Sequence, residues 1–392
     1  MDRLTCVSQH LAGTCRVTGE IRRFSGCVNN FGCLLVIKAM EKKIYLTITT
    51  LLLFVSTSFI ACHKKGDPSP DPQPESSVDV YVAGNNGSGA FLWKNGTAAT
   101  LPSGNDANDI EISGNDVFVS GFGMNKNDRY VAKYWKNGVS VDLTDGTRNS
   151  YCYDIYLNGN DVYAAGRQQV SNGSTYVATY WKNGTQVTLG DPSENSLAAA
   201  LLITGSDIYV IGKHNKAGNS PVACYWKNGT LVDLSNESTY AGNQAITVSG
   251  SDIYMLWSAT YNNEGLSRTS YSKNFGAPVV IKDAAQNFDG NSIVVSGSDV
   301  YVSGLGISTT GNVFSPTYYK NESPVLINDG PKSAFATNIT INNSDVYVAG
   351  WTENVAAGNS PAACFWKNGK ITLLGSGTSQ SLARKIVVVK KS

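Results

Sequence analysis

From Val78 onward, apolar residues fall at every second position in short runs, and polar turn pairs interrupt the runs. Ile110-Glu111-Ile112, Asp116-Val117-Phe118-Val119 and Val131-Ala132-Lys133-Tyr134-Trp135 are three in succession. A period of two puts alternate side chains on opposite faces, so each run predicts a β-strand. The turns say how the strands connect. Gly114-Asn115, Gly159-Asn160, Gly205-Ser206, Gly250-Ser251 and Gly297-Ser298 place Gly first in a two-residue loop, as a type II′ hairpin requires, while Asn137-Gly138 and Asn183-Gly184 suit type I′. The predicted unit is a four-stranded antiparallel sheet with two tight turns at one end. At the other end lie long connections, such as Phe122 to Tyr130, that differ in every copy.

The unit recurs seven times. Its Asp-Val-Tyr marker begins at Asp79, Asp116, Asp161, Asp207, Asp252, Asp299 and Asp345, at intervals of 37, 45, 46, 45, 47 and 46. A second marker counts the same, with Trp93, Trp135, Trp181, Trp226, Ser272, Tyr319 and Trp366 in one slot. One small twisted sheet cannot bury both its faces alone, and a period of ~45 residues with four strands is the mark of a ring of stacked sheets. The fold class is all-β: a single seven-bladed β-propeller of four-stranded blades over residues 78–392. The first copy lacks the strand that the others show before Asp-Val-Tyr, and Ser381 to Val389 ends the chain with a strand of that type. The C-terminal strand, Ile386 to Val389, is therefore expected to pair with Asp79 to Gly84 and close the ring, which removes two open edges.

Composition agrees and narrows the function. A length of 392 residues suggests two or three domains, but the repeats replace them with one. Gly 39, Tyr 20 and only 16% charged residues exclude long helices and disorder. A net charge of +1 gives no basic face for nucleic acid, and three His leave little for zinc or proton relays, so no cofactor and no metal are expected.

The stretch before the repeats carries a cellular address. Residues 1–39 show neither strand alternation nor a helical face, and they read as lying upstream of the true start, Met40. Glu41-Lys42-Lys43 is followed by the charge-free run Ile44 to Ala61, with small Ala61 before Cys62, the pattern of a signal peptide over 40–61. Phe59-Ile60-Ala61-Cys62 resembles the lipobox of bacterial lipoproteins, those of the Bacteroidota among them, with Phe59 where Leu is usual. The resemblance implies acylation of Cys62, hence a membrane partner through that anchor and a place in the cell envelope, at the outer membrane or cell surface. Residues 62–77 then form a tether, with Pro68, Pro70, Pro72 and Pro74 favouring extended polyproline geometry.

Gly89-Ala90-Phe91-Leu92-Trp93-Lys94-Asn95-Gly96 and Ala363-Cys364-Phe365-Trp366-Lys367-Asn368-Gly369, with Leu374-Gly375, resemble the bacterial extracellular repeats called HAF. That likeness implies a fold and carries over no catalytic residue.

Seven Asp and five Trp at fixed slots are expected to be structural, the Asp accepting backbone N–H groups and the Trp filling the wedge between blades. Cys152, Cys224 and Cys364 are expected as buried free thiols, and His214 as a solvated loop residue. Departures from the repeat point to a site. Where other blades end the second strand with Gly, the fifth has Trp257; it is expected to face the variable loops, because Ser272 lies nearer the tight-turn end of the hairpin. The next position holds Phe122, Arg167, Lys213, Leu305 and Trp351 in other blades. Trp257, Trp351, Arg167, Lys213 and Phe122 are the candidate ligand-binding residues, forming a ring fit to stack on a glycan or dock a protein. The expected protein is a monomeric, non-catalytic binding module, with a structural docking disc or a lyase or glycosidase as the alternatives.

Overall fold

The structure, a computed structural model, describes residues 78–391 apart from 172, 217–220, 236–237, 262–266, 282–287, 308–313, 328–332, 355–359 and 376–378, and it describes three short strands near the N-terminus. Cys62, the signal segment and the proline tether lie outside the described residues. The N-terminal unit, Met1–Gln73, contains an antiparallel sheet of Thr5–Gln9, Ala12–Val17 and Glu20–Arg23. Thr, Val and Ile supply the β-propensity of these short runs.

The second unit, Pro74–Ser392, is the propeller. Seven four-stranded antiparallel sheets follow one another, and no helix occurs among the described residues. Blade 2 shows the plan, with Asp106–Ser113 innermost, then Asp116–Met124, Tyr130–Lys136 and the outer Val139–Asp142. Blade 1 is assembled from both ends. Leu382–Lys390 supplies its inner strand beside Val78–Asn85, in a register that sets Ile386 against Val82 and Val389 against Asp79. The closure expected from the sequence is therefore present.

The turns follow their residues. Gly114, Gly159, Gly205, Gly250 and Gly297 all have φ near +60° with an ordinary residue next, and the Asn-Gly pairs are left-handed at both positions. A sevenfold module surrounds these turns. In blade 2, Asn137 donates its amide to Asp116 Oδ1 at 2.8 Å and accepts the N–H of Val117, while Lys136 reaches Asp116 Oδ2 at 2.8 Å and lies over the Phe118 ring. Blades 1 and 7 repeat it as Asp79, Asn95 and Lys94 and as Asp345, Asn368 and Lys367. The Asp thus accepts side-chain N–H groups, and the backbone amide expected on the Asp goes to the Asn side-chain oxygen instead. The amide of a left-handed Asn turns back across the hairpin and reaches that N–H first.

Between blades the packing is apolar. Trp135 lies in a cluster with Ala90, Leu101 and Ala107, and Trp181 with Ala132, Leu143 and Cys152. The Trp135 indole crosses its own sheet toward the loop end: a Cβ on Gly121 would come within 2.9 Å of its ring. The three cysteines are buried and free.

Candidate functional site

Every inner strand carries a β-bulge near its loop end. The sequence contains its signature. Ala107 and Ile110 are both buried, as are Cys152 and Ile155, and Ala383 and Ile386. Residues three apart cannot share a face of a regular strand with period two, so one extra residue must stand between them. The extra residues are Asn108, Tyr153, Ala199, Asn291, Thr337 and Arg384, and they line the axis of the ring, with Gln244 in the fifth blade. Reading the inner strands as plain alternation misses this ring entirely.

The bulged residues join neighbouring blades. Asn108 donates to the Cys152 carbonyl at 2.7 Å, Asn291 to that of Ala336 at 2.8 Å, and Thr337 to that of Ala383 at 2.9 Å. The next residue along works in the opposite sense: Asp109 accepts the N–H of Ile155, Asp154 that of Leu201, and Asn338 that of Ile386.

Two adjoining cavities of about 380 Å³ each share this axial ring. The one toward the variable loops adds Leu197, Lys213 and Gly242; the deeper one adds Asp109, Glu111, Asp154 and Lys385. In the deeper cavity Lys385 pairs with buried Asp109 at 2.7 Å. Burial opposes the charge of Lys385, but Asp109 and Asp154 more than offset it and its pKa is raised. Burial, then the Asp109 carboxylate, pushes Asp154 well above the carboxylate range. Glu111 rises by the same two causes to about 7, against an ordinary value of 4.5.

The raised Glu111 makes stability depend on pH in a definite sense. Between pH 4.5 and 7 the folded chain keeps a proton that the unfolded chain has released, so stability falls as pH rises through that window and levels off above it. Glu111→Gln removes the penalty. The variant is expected to gain up to about 3 kcal/mol at pH 8 and nothing at pH 4, measured by urea unfolding at both values. An equal gain at both would show that Glu111 does not titrate in this way.

At the loop mouth the candidate residues divide. Arg167 lies among tyrosine rings, its guanidinium 4.6 Å from the Tyr176 centroid, 5.0 Å from Tyr151 and 6.0 Å from Tyr153. Phe122 meets Tyr151 edge-on at 4.9 Å and Tyr130 at 5.4 Å, so Phe122 and Arg167 belong to one half-buried aromatic cluster over blades 2 and 3. Lys213 lines the outer cavity from blade 4 and donates to the Ala241 carbonyl at 3.1 Å. Trp351 stacks on Phe335 at 3.8 Å in blade 7, apart from that cluster.

Trp257 is not at the mouth. It is only 3% exposed and packs with Ala223, Ala241, Ala259 and Leu234 between blades 4 and 5. Ala223 and Leu234 are the counterparts of Ala90 and Leu101 around Trp135, so Trp257 fills the space that the Trp slot fills elsewhere. The expectation from hairpin geometry fails because the offset is small: Trp257 pairs with Ser270, only two residues, or about 6.6 Å, from Ser272, and an indole spans that. The exchange needs a backbone change. In six blades a Cβ at this slot would meet an inner-strand carbonyl oxygen at 1.8–2.2 Å, which enforces Gly. In blade 5 the bulge lies between Ala241 and Gln244, and Gln244 pairs with Trp257.

His214 also departs from expectation. The second strand of blade 4 extends to Asn215, and His214 is buried at 7% exposure, with Nε2 2.8 Å from Asp233 Oδ1. A carboxylate on the outer strand of the same blade, reaching past the strand between them, gives the ring a partner that solvent would otherwise supply.

No family model matches the sequence, and no curated protein is similar to it. Some solved structures are similar to it in part. The acylaminoacyl peptidase of Pyrococcus horikoshii is similar over 79% of this chain and 52% of its own, with 12% identity and a TM-score of 0.48. A puromycin-hydrolyzing peptidase of Mycobacterium tuberculosis is similar over 69% and 53%, with 9% identity and a TM-score of 0.39. This chain thus spans about half the length of those two. The β-propeller domain of the Trilobed protease from Pyrococcus furiosus is similar over 76% of this chain and 94% of its own, with 10% identity and a TM-score of 0.45. Its own seven four-stranded sheets, in ring order and closed by the last strand, make the chain a seven-bladed β-propeller.

Proposed function

We propose that the protein is a lipid-anchored, non-catalytic binding module of the cell envelope, tethered through Cys62, that takes a glycan on its variable-loop face. The observation that carries the binding half is the mouth of the axial cavity. Tyr151, Tyr153, Tyr176 and Phe122 offer half-buried ring faces beside a cavity of about 380 Å³ lined by Asn108, Gln244, Asn291 and Thr337. Sugars present C–H faces to aromatic rings and hydroxyls to amides, and a concave site with convergent polar groups suits them better than a flat protein surface. The anchoring half rests on the charge-free run before Ala61-Cys62.

One preparation tests both halves. The membrane form, solubilised in detergent and applied to an array of oligosaccharides, is expected to retain a defined class of glycan. Tyr153→Ala should lower that retention about tenfold or more, with little change in Tm. Mass spectrometry of the same material should find a diacylglyceryl-modified Cys62 as its first residue. Absence of retention on every glycan defeats the binding reading, and a peptide from residues 1–39 defeats the lipoprotein reading.

A further inference from the structure

The axial cavity is walled on every side. Each blade contributes a residue to its ring, and the seams between blades are bonded close to that level. Four seams are joined by the hydrogen bonds of the bulged residues and their neighbours described above. The other three are joined as well. Arg384 pairs with Asp106 at 3.0 Å between blades 1 and 2, Lys213 donates to the Ala241 carbonyl at 3.1 Å between blades 4 and 5, and the Gly290 N–H reaches Ser258 Oγ at 3.1 Å between blades 5 and 6. Among the described residues all seven seams are closed, so a ligand reaches the ring only along the axis.

That restricts which part of a polymer can enter. A run of internal sugar residues needs a groove open at the side, whereas a bore admits a chain by its end. The outer cavity, about 380 Å³, is at the small end of the roughly 300–1,000 Å³ usual for ligand pockets. Tyr153 belongs both to this wall and to the aromatic cluster, its ring parallel to that of Tyr151 within 2° at 6.3 Å, so the cluster leads into the bore. Inside, Asn108 and Gln244 donate their amide N–H groups to the carbonyls of Cys152 and Gly242, and their amide oxygens remain to accept from a ligand's hydroxyls. We propose that the axial cavity seats the terminal residue of a glycan at its non-reducing end, which makes the protein selective for chain tips over internal segments. The inference rests on the glycan-binding reading above and specifies which part of the ligand is held. A glycan joined to a lipid or protein is joined through its reducing end, and only the other end is free to enter.

Calorimetric titration of the full chain in detergent tests this with maltohexaose, cellohexaose, mannohexaose and chitohexaose. Each is used in three forms: unmodified, capped by a benzylidene acetal on its non-reducing residue, and reduced to the alditol at the other end. At least one is expected to bind, with its capped form about tenfold or more weaker and its alditol unchanged. Ala199→Trp puts an indole into the bore from a position outside the aromatic cluster. It should weaken binding of the unmodified sugar by a similar factor, with a melting curve showing that the variant remains folded; the capping result needs no variant and stands without it. Equal binding of capped and unmodified forms overturns the chain-tip seat and leaves the glycan reading standing. A loss on reduction in place of a loss on capping overturns the choice of end. Full binding by folded Ala199→Trp puts the sugar on the outer rings and overturns the bore. Absence of binding by all four probes overturns the chain-tip seat, and the array then decides the glycan reading separately.

Discussion

Trp257→Gly is expected to destabilise the propeller by about 3–5 kcal/mol, although it installs the residue that the other six blades carry at that slot. Repeat logic predicts the reverse, since the change restores the residue of the repeat. In the fold the substitution empties a pocket walled by Ala223, Ala241, Ala259 and Leu234, none of which is large enough to fill it. The Ser272 side chain cannot compensate; it is buried, and its hydroxyl lacks a hydrogen-bond partner. A loss of that size is a large part of the roughly 5–15 kcal/mol that a domain has in total, so Tm should fall by many degrees. The double variant Trp257→Gly with Ser272→Trp is the sharper test. It returns the indole to the strand that carries it in Trp135 and Trp181, and it should recover more than half of the loss. A mild effect of Trp257→Gly together with lost glycan binding would put Trp257 back at the mouth and reject the exchange.

The difference between what was legible and what was not is physical. The blade count, both turn types and the closing strand follow from local chemistry, because period two, a left-handed Gly or Asn and a missing first strand are each visible within a few residues. The bulges are properties of a pair of strands. A one-residue slip changes nothing in the composition of Asp106–Ser113, yet it sends Asn108 to the axis and forces Gly121 against the Asp106 carbonyl. What was misplaced follows from partners across space, Trp257 from the shifted bulge of blade 5 and His214 from Asp233, and the carboxylates Asp109 and Asp154 went unread because the amides that hold them lie one blade away. Phe122, Arg167 and Lys213 lie at one level of their blades because each follows the Gly near the loop end of its second strand. Tyr151 and Tyr153, which hold Arg167, were missed because they come from the inner strand.

Removing the closing strand should abolish the fold. A chain ending at Ser381 loses Leu382–Lys390, with buried Ala383 and Ile386 and the half-buried Val387, Val388 and Val389. Each fully buried aliphatic side chain contributes ~1.5–3 kcal/mol. The loss extends past blade 1, because this strand is tied to both neighbours. Asn338 of blade 7 loses the N–H of Ile386, and Asp106 and Asp109 of blade 2 lose Arg384 and Lys385. Asp109 is only 4% exposed, and removing one partner of a buried pair costs about 3–5 kcal/mol. Lys385→Met isolates that last contribution: the methionine keeps most of the stem and deletes only the charge. It should lower stability by about 3 kcal/mol while the ring stays closed. Circular dichroism and urea unfolding of the two variants separate the effects. The truncated chain should show no cooperative transition, and Lys385→Met should show one at lower urea. If the truncated chain melted near the intact protein, the ring would not depend on its last strand. An unchanged midpoint in Lys385→Met would mean that Asp109 draws its compensation from the backbone amide of Ile155 alone.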